Sequence, residues 1–198
     1  NSKGNIDLFS QSKKFIKIKK NFSKKIKFHH QHKIEKKLRN LWKNNIWLDS
    51  LSCSLHYKSL LAKNNRIIQK IDPIYFFKSI KNPTEIKNMK KSHMVDGVAL
   101  TKFLFWLKKN FRKKKITEIS AQKKLENFRK MNKSYKFPSF DTISGSGPNS
   151  AIIHYRATSE SNRTLKKGDL YLVDSGGQYS FGTTDVTRTI SLDNNSKY

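Results

Sequence analysis

The chain has 198 residues, room for one domain and part of a second, and carries a formal net charge of +28 at pH 7. It has no apolar run long enough to span a bilayer and no signal-peptide pattern, and its single cysteine, Cys53, excludes an intrachain disulfide and fits a reducing interior. The charge is uneven: 30 basic and 6 acidic residues fall in the first 116 positions, against 12 and 8 in the rest. Arg supplies only 7 of the 42 basic residues. Since Arg is the side chain that reads phosphates and bases bidentately, the lysine excess reads as compositional drift, and nucleic-acid binding is the minority reading. The chain starts at Asn1 without a Met, so the N-terminus shown is expected not to be the native one.

Residues 1–45 are lysine-rich and weakly patterned, with Phe15, Ile16, Ile18 and Phe22 scattered among the charges. This tract is expected to be poorly ordered, apart from a short amphipathic helix marked by Ile34, Leu38 and Leu41. His29, His30 and His32 cluster there, but no second ligand set accompanies them at metal-site spacing. A solvated basic tract is the simpler account. Residues 46–49 read as a strand, 52–61 as a short helix and 66–71 as a further strand, ended by Pro73. Residues 74–80 (IYFFKSI) read as an apolar connection.

A long helix follows. Asn82 caps it and Pro83 takes its first position. Ile86, Met89, His93, Gly97, Leu100, Leu104 and Leu107 step by three and four, which predicts one buried face through Asn110. His93 on that stripe is predicted to be a core residue. After a basic linker at 112–115, Thr117 caps a second helix with Glu118 in its first turn. Ala121, Leu125 and Phe128 form its buried face, and Phe137 and Pro138 stop it. Residues 143–153 are rich in turn formers, residues 152–155 begin a strand carrying His154, and 163–169 form a turn.

Residues 170–190 (LYLVDSGGQYSFGTTDVTRTI) carry the candidate chemistry. Residues 170–173 form one strand and the β-branched residues from 183 to 190 a second. A hairpin centred near Tyr179 and Ser180 sets Asp174 opposite Asp185 on one face. Like charges so placed are destabilising, so a cation between them or a retained proton is required. Hard divalent ions favour such oxygens, and a two-metal hydrolase needs bridging carboxylates. The competing account is a pair of solvated strand-end aspartates; the surrounding glycines and threonines favour a site. His154 reads either as a buried, satisfied histidine or as an oxyanion donor or proton shuttle. Gly145, Gly147 and Pro148 do not make a phosphate loop, because no GxxxxGK[ST] is present. Cys53 has no evident base to make it a nucleophile.

These residues bear a resemblance to a known family. Residues 81–107, residues 116–128 (ITEISAQKKLENF), residues 146–155 (SGPNSAIIHY) with Asn162 and Arg163, and above all DSGGQY and GTTDVTRT within 171–189 resemble the Xaa-Pro aminopeptidases of the pita-bread metallopeptidases. The resemblance implies an α+β chain. Residues 80–198 would be the N-terminal half of the catalytic domain, an incomplete pita-bread. Residues 1–79 would be the end of a creatinase/prolidase-like α/β domain. It further implies removal of an N-terminal residue that precedes proline, with two divalent ions, commonly Mn2+, activating a bridging water. By resemblance Asp174 binds one metal, Asp185 bridges both, and His154 lines the substrate site near the attacked carbonyl. The family uses five ligands, and the remaining His and two Glu do not occur after Asp185. The chain is therefore expected to be a fragment without activity of its own. A cytoplasmic location, peptide substrates with proline second, no membrane partner, and a full-length enzyme able to form a homodimer are also implied. The rivals are a catalytically inactive binding module built on the half-fold and a basic nucleic-acid-binding protein.

Overall fold

The computed structural model describes residues 4–16 and 22–192, which fall into two compact units, Asn1–Ile80 and Lys81–Tyr198. Ile18, in the basic tract, lies outside the described residues.

The first unit is built from short parallel strand pairs with helices between them. Strand β1 (Ile6–Ser10) leads through α1 (Ser12–Phe15) to β2 (Ile26–His30), and the two strands pair in parallel, Leu8 with Phe28. A 3-10 turn and α2 (Ile34–Arg39) follow. β3 (Asn45–Leu48) and β4 (Arg66–Gln69) pair in parallel across α3 (Leu55–Ala62). The helix at Ile34 was expected; the two strands before it were not, and they correct the expectation of a poorly ordered tract. His29 has partners within this unit. It hydrogen-bonds Asp7 at 2.6 Å and stacks on Phe9, and no group of three metal-ligating side chains occurs among the described residues. The apolar connection is instead a helix, α4 (Pro73–Ser79), because Asp72 caps it and Pro73 suits a first helical turn. Its Ile74, Tyr75, Phe76 and Phe77 are exposed.

In the second unit, α5 (Pro83–Asn110) and α6 (Glu118–Lys130) lie against antiparallel sheets. Each helix starts with a reciprocal cap, Asn82 with Glu85 and Thr117 with Ser120. β6 (Ile143–Ser146), β7 (Leu170–Ser175) and β10 (Val186–Ser191) form one sheet with β7 central. β5 (Tyr135–Pro138), β8 (Gly177–Tyr179) and β9 (Gly182–Thr183) form another. α6 thus stops at Lys130, short of the expected Phe137 and Pro138, which sit in an edge strand where proline is tolerated. Leu100, Phe103 and Leu107 of α5, Ala121 and Leu125 of α6, and Tyr171 and Val173 of β7 make the core. Fully burying one such large apolar side chain contributes about 1.5–3 kcal/mol.

The buried stripe of α5 differs from the expected one in its first half. Ser92 and Asp96 are buried, while Ile86 and Met89 are exposed and His93 faces solvent, its ring bonded to the Met89 carbonyl. Gly182 explains Ser92: a Cβ there would come within 2.2 Å of the Ser92 Oγ, so the strand turn packs directly on this side chain. Asp96 is buried because Arg129 meets it from α6, bidentately, at 2.6 and 3.0 Å. No helix among the described residues is long and apolar enough to cross a membrane.

Candidate functional site

Strand β7 alternates strictly. Tyr171, Val173 and Ser175 are buried towards the helices, and Leu170, Leu172 and Asp174 turn to the other face. Asp174 lies between Ile143 of β6 and Thr187 of β10. The Thr187 hydroxyl donates to its Oδ1 at 2.8 Å.

The pairing corrects the expected hairpin. β7 and β10 set Ser175 opposite Val186, and β8 and β9 set Gln178 opposite Thr183 and Tyr179 opposite Gly182. Both ladders share one register, folded between Ser180 and Phe181 and not between Tyr179 and Ser180. A turn moved by one residue moves every partner by two, so Thr187 faces Asp174 and Asp185 stands two residues along, one before β10. A shift of two preserves the face. Asp174 and Asp185 are therefore diagonal neighbours on one side of the hairpin, a relation that sets backbones about 7–8 Å apart and is bridged by longer side chains or by ions. Asp174 is half-buried and Asp185 exposed. Among the described residues neither carboxylate makes an ion pair, in a chain with 42 basic side chains. Two hard oxygen donors on one face with no protein cation between them suit part of the ligand set of a divalent ion.

The hairpin is squeezed just after Asp174. A Cβ on Gly176 would fall 1.9 Å from the Thr184 carbonyl oxygen and 2.3 Å from the Ser139 Oγ. Ser139 donates to that same carbonyl at 2.8 Å, and its N–H donates to the Gly176 carbonyl at 3.2 Å. Only glycine admits this approach of two backbones and a side chain.

His154 is neither buried nor on a strand. It sits exposed on a turn with φ at +55°, a left-handed conformation that non-glycine residues seldom adopt. It does not join the two aspartates in a metal-type cluster. Its turn is held by Glu118, which is fully buried. The Glu118 carboxylate accepts from the Ser146 N–H at 2.7 Å, the Arg163 N–H at 2.9 Å, the Tyr155 hydroxyl at 2.8 Å and the Asn149 amide at 3.1 Å. Burial, then the Glu118 contact, raises the pKa of the Tyr155 hydroxyl even though Ser161 opposes the shift. In sequence Glu118 reads only as a first-turn acid. Its four partners lie 28 to 45 residues away, and nothing local announces them.

Asp96 and Arg129 are also missed by sequence reasoning. A signal existed: Asp96, Leu100, Phe103 and Leu107 are spaced four, three and four, so an acid occupies a core position. Burial opposes the charge of Asp96, but Arg129, with the Tyr179 and Thr184 hydroxyls, holds its carboxyl below the usual range.

A model of metallopeptidase family M24 matches residues 87–198, and one of the creatinase/prolidase N-terminal domain matches residues 1–85. The Xaa-Pro aminopeptidase ApepP of Drosophila melanogaster is 44% identical over 146 residues, 73% of this chain and 24% of the relative. Xaa-Pro aminopeptidase 1 of Dictyostelium discoideum is 45% identical over 149 residues, 73% of this chain and 23% of the relative. The chain thus spans about a quarter of the length of the curated relatives it matches. Among solved structures, the X-prolyl aminopeptidase of Caenorhabditis elegans, a cytosolic enzyme with a di-nuclear active site, superposes with a TM-score of 0.82 at 30% identity, covering 98% of this chain and 33% of that one. The prolidase of Pyrococcus horikoshii shares the fold, with a TM-score of 0.76 at 24% identity over 96% of this chain and 53% of its own. The architecture is that of part of a pita-bread domain, preceded in sequence by a creatinase-type domain.

Proposed function

The chain belongs to metallopeptidase family M24, and from that premise we propose that it is a piece of a metal-dependent aminopeptidase that hydrolyses the bond between an N-terminal residue and a following proline. The carrying observation is that Asp174 and Asp185 share one face of a hairpin without an ion pair among the described residues. Asp174 and Asp185 would hold two divalent ions, Mn2+ in this reading, and such ions supply a Lewis acid and a water acidic enough to be a nucleophile near neutral pH. Thr187 fixes the rotamer of Asp174 by donating to one oxygen, which leaves the other to a ligand. The exposed imidazole of His154 serves as a hydrogen-bond donor to the substrate near the attacked carbonyl. The Glu118 network anchors the neighbouring Tyr155 and Ser146, and with them the backbone of the turn that carries His154. Peptides with proline in second position, a cytoplasmic setting and a homodimer of the full-length enzyme belong to the same reading.

The test is Mn2+ titration of the 15N-labelled chain. Paramagnetic broadening should centre on the amides of Asp174 and Asp185 and vanish in Asp174→Asn and Asp185→Asn. With two of five ligands the chain alone should not turn over an Xaa-Pro peptide. Broadening that ignores both aspartates sinks the metal reading and favours a binding module.

A further inference from the structure

The buried pair Asp96–Arg129 touches the hairpin at the two residues that flank the candidate ligands. Ser175 follows Asp174, is fully buried, and its Oγ accepts from Arg129 Nη2 at 3.0 Å. Thr184 precedes Asp185 and is 1% exposed, and its hydroxyl sits between the Gly177 carbonyl, to which it donates at 3.4 Å, and the Asp96 carboxylate. The same hydroxyl accepts from the Gly177 N–H at 2.9 Å, and the Thr184 N–H donates back to the Gly177 carbonyl at 2.9 Å. The Tyr179 hydroxyl completes the set, donating to Asp96 Oδ1 at 2.7 Å. Three hairpin side chains thus converge on one ion pair whose own side chains are 2% exposed.

We propose that Asp96 and Arg129 are positioning residues that set the spacing and direction of Asp174 and Asp185. This rests on the metal reading of those two aspartates. Along an extended chain neighbouring side chains point to opposite faces. Pulling Ser175 and Thr184 inward therefore turns Asp174 and Asp185 outward together, and one rigid bidentate pair serves both strands. Stability alone does not call for such a device. A buried ion pair replaced by apolar side chains of similar volume is often neutral or stabilising. Apolar side chains there would fill the space but would grip neither hydroxyl. The pair touches neither metal nor substrate, and acts only through the hairpin.

The test uses Ser175→Ala, which leaves the ion pair and adds no volume, with Thr184→Val and its hydroxyl-keeping control Thr184→Ser. Residual dipolar couplings of the N–H bonds at residues 174–176 and 184–186 should shift in Ser175→Ala and Thr184→Val and stay native in Thr184→Ser. Those of Leu107 and Leu125 should stay native throughout, which confirms the fold. The Mn2+ concentration that half-broadens Asp174 and Asp185 should rise about tenfold in Ser175→Ala, as for other losses of outer-shell support. Unchanged couplings at both aspartates in Ser175→Ala and Thr184→Val overturn the proposal, whatever Mn2+ does. Shifted couplings in a chain whose aspartates ignore Mn2+ uphold the positioning role and overturn the metal reading instead.

Discussion

Each unit of this protein grips an aspartate with basic side chains, and the two grips differ in medium. In the first unit Asp7 takes Lys37 and His29, both at 2.6 Å, with side chains 25–41% exposed. In the second, Asp96 takes Arg129 with both side chains 2% exposed. Both carboxyls are held below their usual range, Asp7 chiefly by the Lys37 hydrogen bond and Asp96 by Arg129 against the opposing effect of burial. Near-equal distances therefore mean different things. Water competes for Asp7 and screens it; Asp96 has given up water and depends on its partners for every hydrogen bond.

Removing one partner from each grip exposes that difference most directly. Asp96→Ala leaves the Arg129 guanidinium buried without its counter-charge and should cost about 3–5 kcal/mol in urea unfolding of the second unit. Next comes alkaline pH. Burial raises the hydroxyl pKa of Tyr135 to about 12, and raises those of Tyr155, Tyr171 and Tyr179 as well. A raised folded-state value favours the neutral form, so this stability is full below pH 10 and drains away as pH climbs above it. Circular dichroism from pH 9 to 12 should show the second unit melting, with phenolate absorbance of the buried tyrosines rising together with the loss of structure. Glu118→Gln sets an amide against the N–H groups of Ser146 and Arg163 and should cost about 1–3 kcal/mol by the same urea assay. Glu118→Gln should also speed hydrogen exchange at residues 146–155. Lys37→Ala, the surface counterpart, should cost at most about 1 kcal/mol and less at high salt. On the acid side the sign is common to both grips. A depressed carboxyl contributes stability above about pH 4 that is lost as pH falls through the folded-state value, and the second unit should lose more.

The parts of this molecule that sequence discloses are those built from local rules. α5 begins and ends where Asn82, Pro83 and its heptad-like spacing place it, and α6 begins at Thr117. The hairpin follows from its β-branched residues, and DSGGQY with GTTDVTRT carried the family resemblance. The parts that sequence conceals depend on partners far along the chain. β1 and β2 are visible only once Leu8 meets Phe28, because neither strand has a clean alternation of its own. The hairpin register moved by one residue at the turn because Ser134 takes the Ser180 N–H and Gly182 must seat on Ser92. His93 was read as a core residue and His154 as either a buried histidine or a donor, and both are exposed. Glu118 looks like a surface acid until Ser146 and Arg163 arrive, and the core spacing of Asp96 names no partner until Arg129 meets it.

The convergence on Asp96 also dictates an order of assembly. Its bond to Arg129 closes a separation of 33 residues, the Arg129 bond to Ser175 one of 46, and the Tyr179 bond one of 83. During vectorial synthesis α5 and α6 are made before Tyr179. The nascent helical pair must then keep its ionic seam hydrated, and only the arriving hairpin dries it. The hairpin, made after both helices, thus supplies the hydroxyls that close over the ion pair between them.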